Sequence, residues 1–120
     1  GDGAFGMVGL DFETAVRERI PILTIVLNNS GMSIYGPDRF PVAHERYGTK
    51  SISGNYAQVA EAMGGYNERV EIPQEIVPAI RRAQQVVAAG HPALLEIITS
   101  LEYAFSERPL GALSVPVIPS

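Results

Sequence analysis

The chain has no cysteine among its 120 residues. That excludes a disulfide framework and every Cys-ligated zinc site, and it fits a reducing, cytoplasmic setting. A basic stripe is missing as well: nine Lys and Arg stand against thirteen Asp and Glu, and they are scattered singly apart from Arg81-Arg82. Nucleic-acid binding draws on clustered positive charge, so no nucleic-acid partner is expected. With a net charge of -4, a chain that binds a polyanion needs a metal between the two. No apolar run reaches the ~18 residues of a membrane span, and no charged n-region precedes an apolar core. A soluble protein with no membrane partner is expected. Internal repeats and low-complexity tracts are also lacking. At ~100 to 200 residues per domain, a chain of 120 residues, 46% of them hydrophobic, forms one modest α/β unit.

What is present is organised around Gly1 to Gly31. The stretch opens with Gly1-Asp2-Gly3-Ala4-Phe5-Gly6, read as a Gly-rich turn, and closes with Asn28-Asn29-Ser30-Gly31. Between them Phe12, Ala15, Val16 and Ile20 recur at helical spacing, with Glu13, Arg17, Glu18 and Arg19 interleaved, predicting an amphipathic helix that ends before Pro21. Ile22-Leu23-Thr24-Ile25-Val26-Leu27 is a nearly continuous β-branched and apolar run, the pattern of a parallel strand covered on both faces.

Residues 31 to 54 show no period and hold Gly36, Pro37, Pro41, Gly48 and Gly54. A functional loop is expected there, ordered only when a cofactor or a partner domain covers it. His44-Glu45 within it is read as a solvated position rather than an acid/base pair. Beyond it, Ser53 is the expected cap of a helix whose face is Tyr56, Val59, Ala60 and Met63, with Gly64-Gly65 as the stop. A short strand over 68–72 follows. Next comes a helix begun by Pro73 and Pro78, with Ile76, Ile80, Ala83 and Val87 buried. Gly90 and Pro92 end it, and a last apolar strand runs from Ala93 to Thr99. The Pro-containing tail from Ser100 is expected to run irregularly, which leaves 1–100 as the domain and 101–120 as its tail. Alternating strand and helix imply a mostly parallel, three-layer α/β sheet with helices on both faces.

In such a sheet, loops at the carboxyl ends of neighbouring strands lie side by side, so Asp2 and Asn29 are expected to face one point. Asp2 offers an anionic oxygen, Asn29 an amide oxygen and Gly31 a carbonyl, while the backbone NH groups around Gly3 are open to an anion. An oxygen-only set suits Mg or Ca, and Mg commonly completes its shell with substrate phosphates and water. A diphosphate is therefore the expected ligand.

Gly-Asp-Gly, a spacer of 24 residues from Ala4 to Leu27, and Asn-Asn resemble the thiamine diphosphate motif. Thr14-Ala15-Val16-Arg17 and Ile25-Val26-Leu27-Asn28-Asn29 resemble the acetohydroxyacid synthase and 2-oxo acid decarboxylase branch of that family, and Asn55 to Thr99 reads the same way. The resemblance implies a thiamine diphosphate cofactor and Mg, with Asp2, Asn29 and the Gly31 carbonyl as metal ligands. It places Gly1, Asp2, Gly3, Ala4, Phe5, Asn29 and Gly31 along the cofactor, with Met32, Ile34 and Tyr35 facing its reactive end. It implies decarboxylation of a small 2-oxo acid and transfer of the aldehyde unit, chemistry that the cofactor carries. The activating Glu is implied to come from a pyrimidine-binding domain outside this chain, often of a neighbouring subunit in a homodimer or homotetramer. No catalytic residue is therefore assigned here, and Glu13, Glu45 and Glu61 are not promoted to that role. FAD, found in some synthases, is implied only in a further domain.

Two rival readings carry less. Gly1-Asp2-Gly3-Ala4-Phe5-Gly6 also satisfies GxGxxG, but a dinucleotide site wants an acidic residue after the next strand, and Asn28-Asn29 stand there. A module that kept the fold and lost the chemistry fits poorly with intact Asp2, Asn29 and Gly31. Ala4, Leu10 and Asp11 do depart from the Ser, Gln and Glu common in the synthases, which bears on substrate more than on cofactor. There is no initiator Met, and the turn at residue 1 lacks the strand that should carry it. A fragment, inactive by itself, is expected.

Overall fold

Leu94, Leu95 and Glu96 are fully buried side by side in one short strand, β3 (Ala93–Ile98), and the fold is built outward from it. The computed structural model describes residues 1–32, 37–49 and 51–101. Strand β3 lies between β1 (Leu23–Asn28) and β2 (Tyr66–Val70), giving the order β1-β3-β2. Both pairings are parallel: Leu23 and Tyr66 each sit opposite Ala93, and Val26 and Arg69 each sit opposite Glu96. The α/β parallel sheet expected from the sequence is thus observed.

Side chains alternate across a strand, so β3 feeds two cores. Ala93, Leu95 and Ile97 pack with Val70, Ala79 and Ala83, the last two from α5 (Ile76–Ala88). On the other face Leu94 packs with Val26, Phe12 and Ala60, from α2 (Phe12–Arg17) and α4 (Tyr56–Ala62). The chain moves from β1 past β3 to β2 with α4 on one face, then back to β3 with α5 on the other. Reversing both direction and face keeps the two crossovers of one hand. No helix among the described residues is long and apolar enough to cross a membrane.

Several boundaries differ from the expectations. The Gly-rich opening is a helix, α1 (Asp2–Val8), followed by a 3-10 turn at Gly9–Asp11. The Gly1 carbonyl accepts from Phe5 N–H at 3.0 Å, so the first helical hydrogen bond already spans the motif. Helix α2 stops at Arg17: Arg19 takes a left-handed φ of 53°, Arg19 N–H donates to Val16 and Ile20 N–H to Ala15. This 6→1, 5→2 pattern is a Schellman end, and it puts Ile20 outside the helix and exposed. A short helix, α3 (Pro41–Tyr47), interrupts the expected loop, and Gly31 bridges to Ser51. Asn55, not Ser53, caps α4 by accepting from Gln58 N–H at 3.0 Å. Strand β2 lies two residues earlier than expected, leaving Ile72 exposed. Gly64, at φ 81°, ends α4 as expected. Gly65 is needed for space, since a Cβ there would sit 2.4 Å from the Phe12 ring.

Candidate functional site

Strand β1 delivers Asn28 and Asn29 at its carboxyl end, and α1 starts beside it: a Cβ on Gly1 would lie 3.8 Å from the Leu27 carbonyl oxygen. The two turns singled out in the sequence therefore meet. A Cβ on Gly3 would lie 3.3 Å from Ile52 Cδ1 and 3.8 Å from Met32 Cγ, which seats the α1 start against both sides of the bridged turn. Ile52 N–H donates to the Ser30 carbonyl at 3.1 Å, closing that turn.

Asp2 is only 3% exposed. Its Oδ1 accepts from Gly3 N–H at 2.9 Å, while Oδ2 is buried with no hydrogen-bond partner among the described residues. An ionised carboxylate oxygen buried without a donor is costly, and a cation or a further donor would satisfy it. Asn29 Oδ1 accepts from Gly31 N–H at 3.1 Å, which leaves that oxygen a second lone pair. Gly31 is buried. Among the described residues no three His, Cys, Asp or Glu side chains converge as a metal site. A cation here would have to take amide and backbone oxygens and complete its shell from outside the chain. The residues fit Mg in that sense, because one carboxylate plus neutral oxygens is its usual protein share.

The other expected site residues fall around this point. Gly1 and Ala4 are exposed at the start of α1. The Phe5 ring packs edge-on to Tyr56, with centroids 5.4 Å apart. Met32 is exposed beside Gly3. Ile34 and Tyr35 lie outside the described residues. His44 and Glu45 are carried on α3.

Sequence reasoning missed a buried charge. Glu96 is 0% exposed, yet it reads in sequence as one position of an apolar strand. Its Oε1 accepts from Asn28 Nδ2 at 2.6 Å and from the Arg69 guanidinium at 2.9 Å. Its Oε2 accepts from Ala57 N–H, at the start of α4, at 3.0 Å. Asn28, 2% exposed, directs Oδ1 to Ser30 N–H at 2.9 Å and to Ser30 Oγ at 3.3 Å. Both lone pairs of the Asn28 amide oxygen are therefore taken, whereas Asn29 Oδ1 has one recorded donor. Tyr56 lies near both carboxylates: burial pushes its phenol up, and the charges of Asp2 and Glu96 add to that. A lone carboxylate inside Ala93-Leu94-Leu95-Glu96-Ile97-Ile98 was the available signal.

Fold and site together define an α/β domain in which the start of α1 meets the turn after β1 at the carboxyl end of a parallel strand. Residues 1–97 match the family model described as thiamine pyrophosphate enzyme, C-terminal TPP binding domain, and the chain belongs to that family. It is 34% identical over 117 residues to acetolactate synthase large subunit IlvG of Mycobacterium tuberculosis, covering 90% of this chain and 19% of the relative. It is 32% identical over 106 residues to 2-hydroxyacyl-CoA lyase of Oryza sativa subsp. japonica, covering 82% and 18%. Against 2-hydroxyacyl-CoA lyase 2 of Homo sapiens the figures are 29% over 100 residues, 82% and 16%. The chain thus spans less than a fifth of the length of these relatives.

Proposed function

We propose that this domain anchors the diphosphate of thiamine diphosphate through Mg held by Asp2, Asn29 and the Gly31 carbonyl. The observation that carries the reading is the buried Asp2 Oδ2, without a partner among the described residues, on a helix whose Gly1 and Gly3 approach Leu27 and Met32 on either side of the Asn29 turn. Asp2 supplies the single protein charge, and Asn29 and Gly31 supply neutral oxygens. The cation then joins an acidic chain to a polyanion. Gly1, Gly3, Ala4 and Phe5 form the helix start turned to the diphosphate, and the small Gly3 lets that start lie close to Ile52 and Met32. Met32 and Ile34 supply apolar surface toward the reactive end.

When bound, the cofactor supplies the electron sink for decarboxylation. This chain's residues fix one end of it, and fixing a reactant's orientation is worth up to ~7 to 11 kcal/mol in favourable cases. The whole protein is then an acetolactate synthase-like enzyme that decarboxylates a small 2-oxo acid and transfers the aldehyde unit. A pyrimidine-binding domain of the same or a neighbouring subunit brings the activating Glu, in a homodimer or homotetramer. Any FAD would sit in another domain. The lyase relatives favour a second reading, cleavage of a 2-hydroxyacyl-CoA, and the departures at Ala4, Leu10 and Asp11 are compatible with it.

The test is retention of thiamine diphosphate through gel filtration with Mg present, in the native protein and in Asp2→Ala and Asn29→Ala. Loss in both variants is expected; full retention in both overturns the reading. Pyruvate and a 2-hydroxyacyl-CoA offered side by side separate the two activities.

A further inference from the structure

The Asn29 turn is held in a conformation it would not take alone. Ser30 has φ 56°, a left-handed backbone in which the Cβ crowds the following carbonyl. Two hydrogen bonds from Ser30 to Asn28 Oδ1 offset that crowding. They form only while the Asn28 amide presents its oxygen to the turn and its NH2 inward. Nothing within Asn28 fixes that choice, because the two ends of an amide are nearly the same shape. Glu96 fixes it: a carboxylate can only accept, so the Asn28 NH2 must face Glu96 Oε1. Glu96 is in turn held by donors from two further elements, Arg69 of β2 and Ala57 of α4. Helix α4 carries Tyr56, which packs on Phe5 of α1, so the same network reaches the helix that bears Asp2.

We propose that Glu96 is a positioning residue for the metal site: through Asn28 it sets the left-handed Ser30, and thereby the placement of Asn29 Oδ1 and the Gly31 carbonyl. This rests on the reading of Asn29 and Gly31 as metal ligands. A buried charge in the central strand thus serves a turn 68 positions away in sequence. Partners that orient metal ligands commonly tune affinity by ~10- to 100-fold.

Two variants of the native protein test this, with Mn binding followed by electron paramagnetic resonance at saturating thiamine diphosphate and thermal unfolding of the metal-free protein followed in parallel. Glu96→Leu keeps the volume but removes both acceptors, so the Asn28 amide is no longer held with its NH2 inward. Asn28→Ala cuts the link from the turn side and leaves Glu96 with Ala57 and Arg69, so the fold keeps its buried pair. Both are expected to raise the Mn half-saturation concentration ~10-fold or more, although Glu96→Leu lowers the unfolding midpoint further. If Glu96→Leu does not fold, Asn28→Ala decides. An Mn constant within about two-fold of wild type in folded Asn28→Ala, far below the ~10-fold expected, overturns the proposal. Asn29→Ala separates the two failures: if it too binds Mn normally, the ligand assignment falls, and if it alone loses Mn, only the positioning role does.

Discussion

Asn28 Nδ2 donates to Glu96 Oε1 at 2.6 Å, joining the end of β1 to the middle of β3 inside the sheet's α4 face. Replacing Glu96 by Leu keeps the volume and strands three donors: Asn28 Nδ2, Ala57 N–H and the inward side of Arg69. Breaking a buried ion pair from one side costs ~3–5 kcal/mol. Because Arg69 is partly exposed and keeps Glu71 at 2.8 Å, the loss on denaturant unfolding is expected at the lower end, about 3 kcal/mol.

Arg19 occupies the left-handed position that ends α2, where Gly is the usual residue. Arg19→Gly removes the Cβ conflict and gives back part of the gain as extra freedom of the unfolded chain. A net stabilisation of about 0.5–1 kcal/mol is expected from chemical denaturation. An unchanged or lower midpoint would contradict this description of the helix end.

Gly65 is closed in by the Phe12 ring, with two ring atoms at 2.4 and 2.9 Å from where a Cβ would sit. Phe12 is buried in the α2/α4 core, so it has little room to give. Gly65→Ala should therefore destabilise by ~1–3 kcal/mol through overpacking. The double variant Gly65→Ala, Phe12→Leu should lose less than the sum of its parts.

Glu68 takes two hydrogen bonds from Arg82, at 2.9 and 2.7 Å. These bonds hold its carboxyl below the ordinary 4.5 against an opposing push from burial, and a hydrogen bond from Tyr66 adds to the lowering. A depressed folded-state pKa contributes stability above the unfolded value and loses it as pH falls through the folded one. Stability should therefore drop below about pH 4.5. Arg82→Met should flatten that acid limb. Both side chains are partly exposed, so solvent screening keeps the gain at neutral pH small. An acid limb identical in Arg82→Met would assign it to other carboxylates.

The features legible in the sequence are those with a strong local pattern. Strands β1 and β3 are mostly apolar runs, α5 repeats its apolar residues at helical spacing, and Gly64 and Gly90 stop helices at positive φ. Alternation of these elements was enough for a parallel sheet. The pair Gly-Asp-Gly and Asn-Asn was legible because its spacing fits helical residues followed by one strand. What was hidden depends on contacts between elements. Helix α1 looked like a turn because two of its seven residues are Gly, and its Phe5–Tyr56 contact is not visible in a local window. Helix α3 is short and sits among Gly and Pro. Glu96 looked like one polar position in a strand, since its three partners come from three other elements. The role of Asn28 was hidden with it, because an amide's direction is set by what it faces.

The central claim is that Asp2, Asn29 and Gly31 hold a divalent cation that bridges to a diphosphate. Anomalous diffraction from crystals of the native protein grown with Mn and thiamine diphosphate tests it most directly. A single Mn peak is expected within bonding distance of Asp2 Oδ2, Asn29 Oδ1 and the Gly31 carbonyl oxygen, about 2.0–2.3 Å for such hard-oxygen ligands, with two phosphate oxygens in the same shell. A fully occupied cofactor with no metal at these three oxygens, or a metal bound elsewhere on the chain, would contradict it.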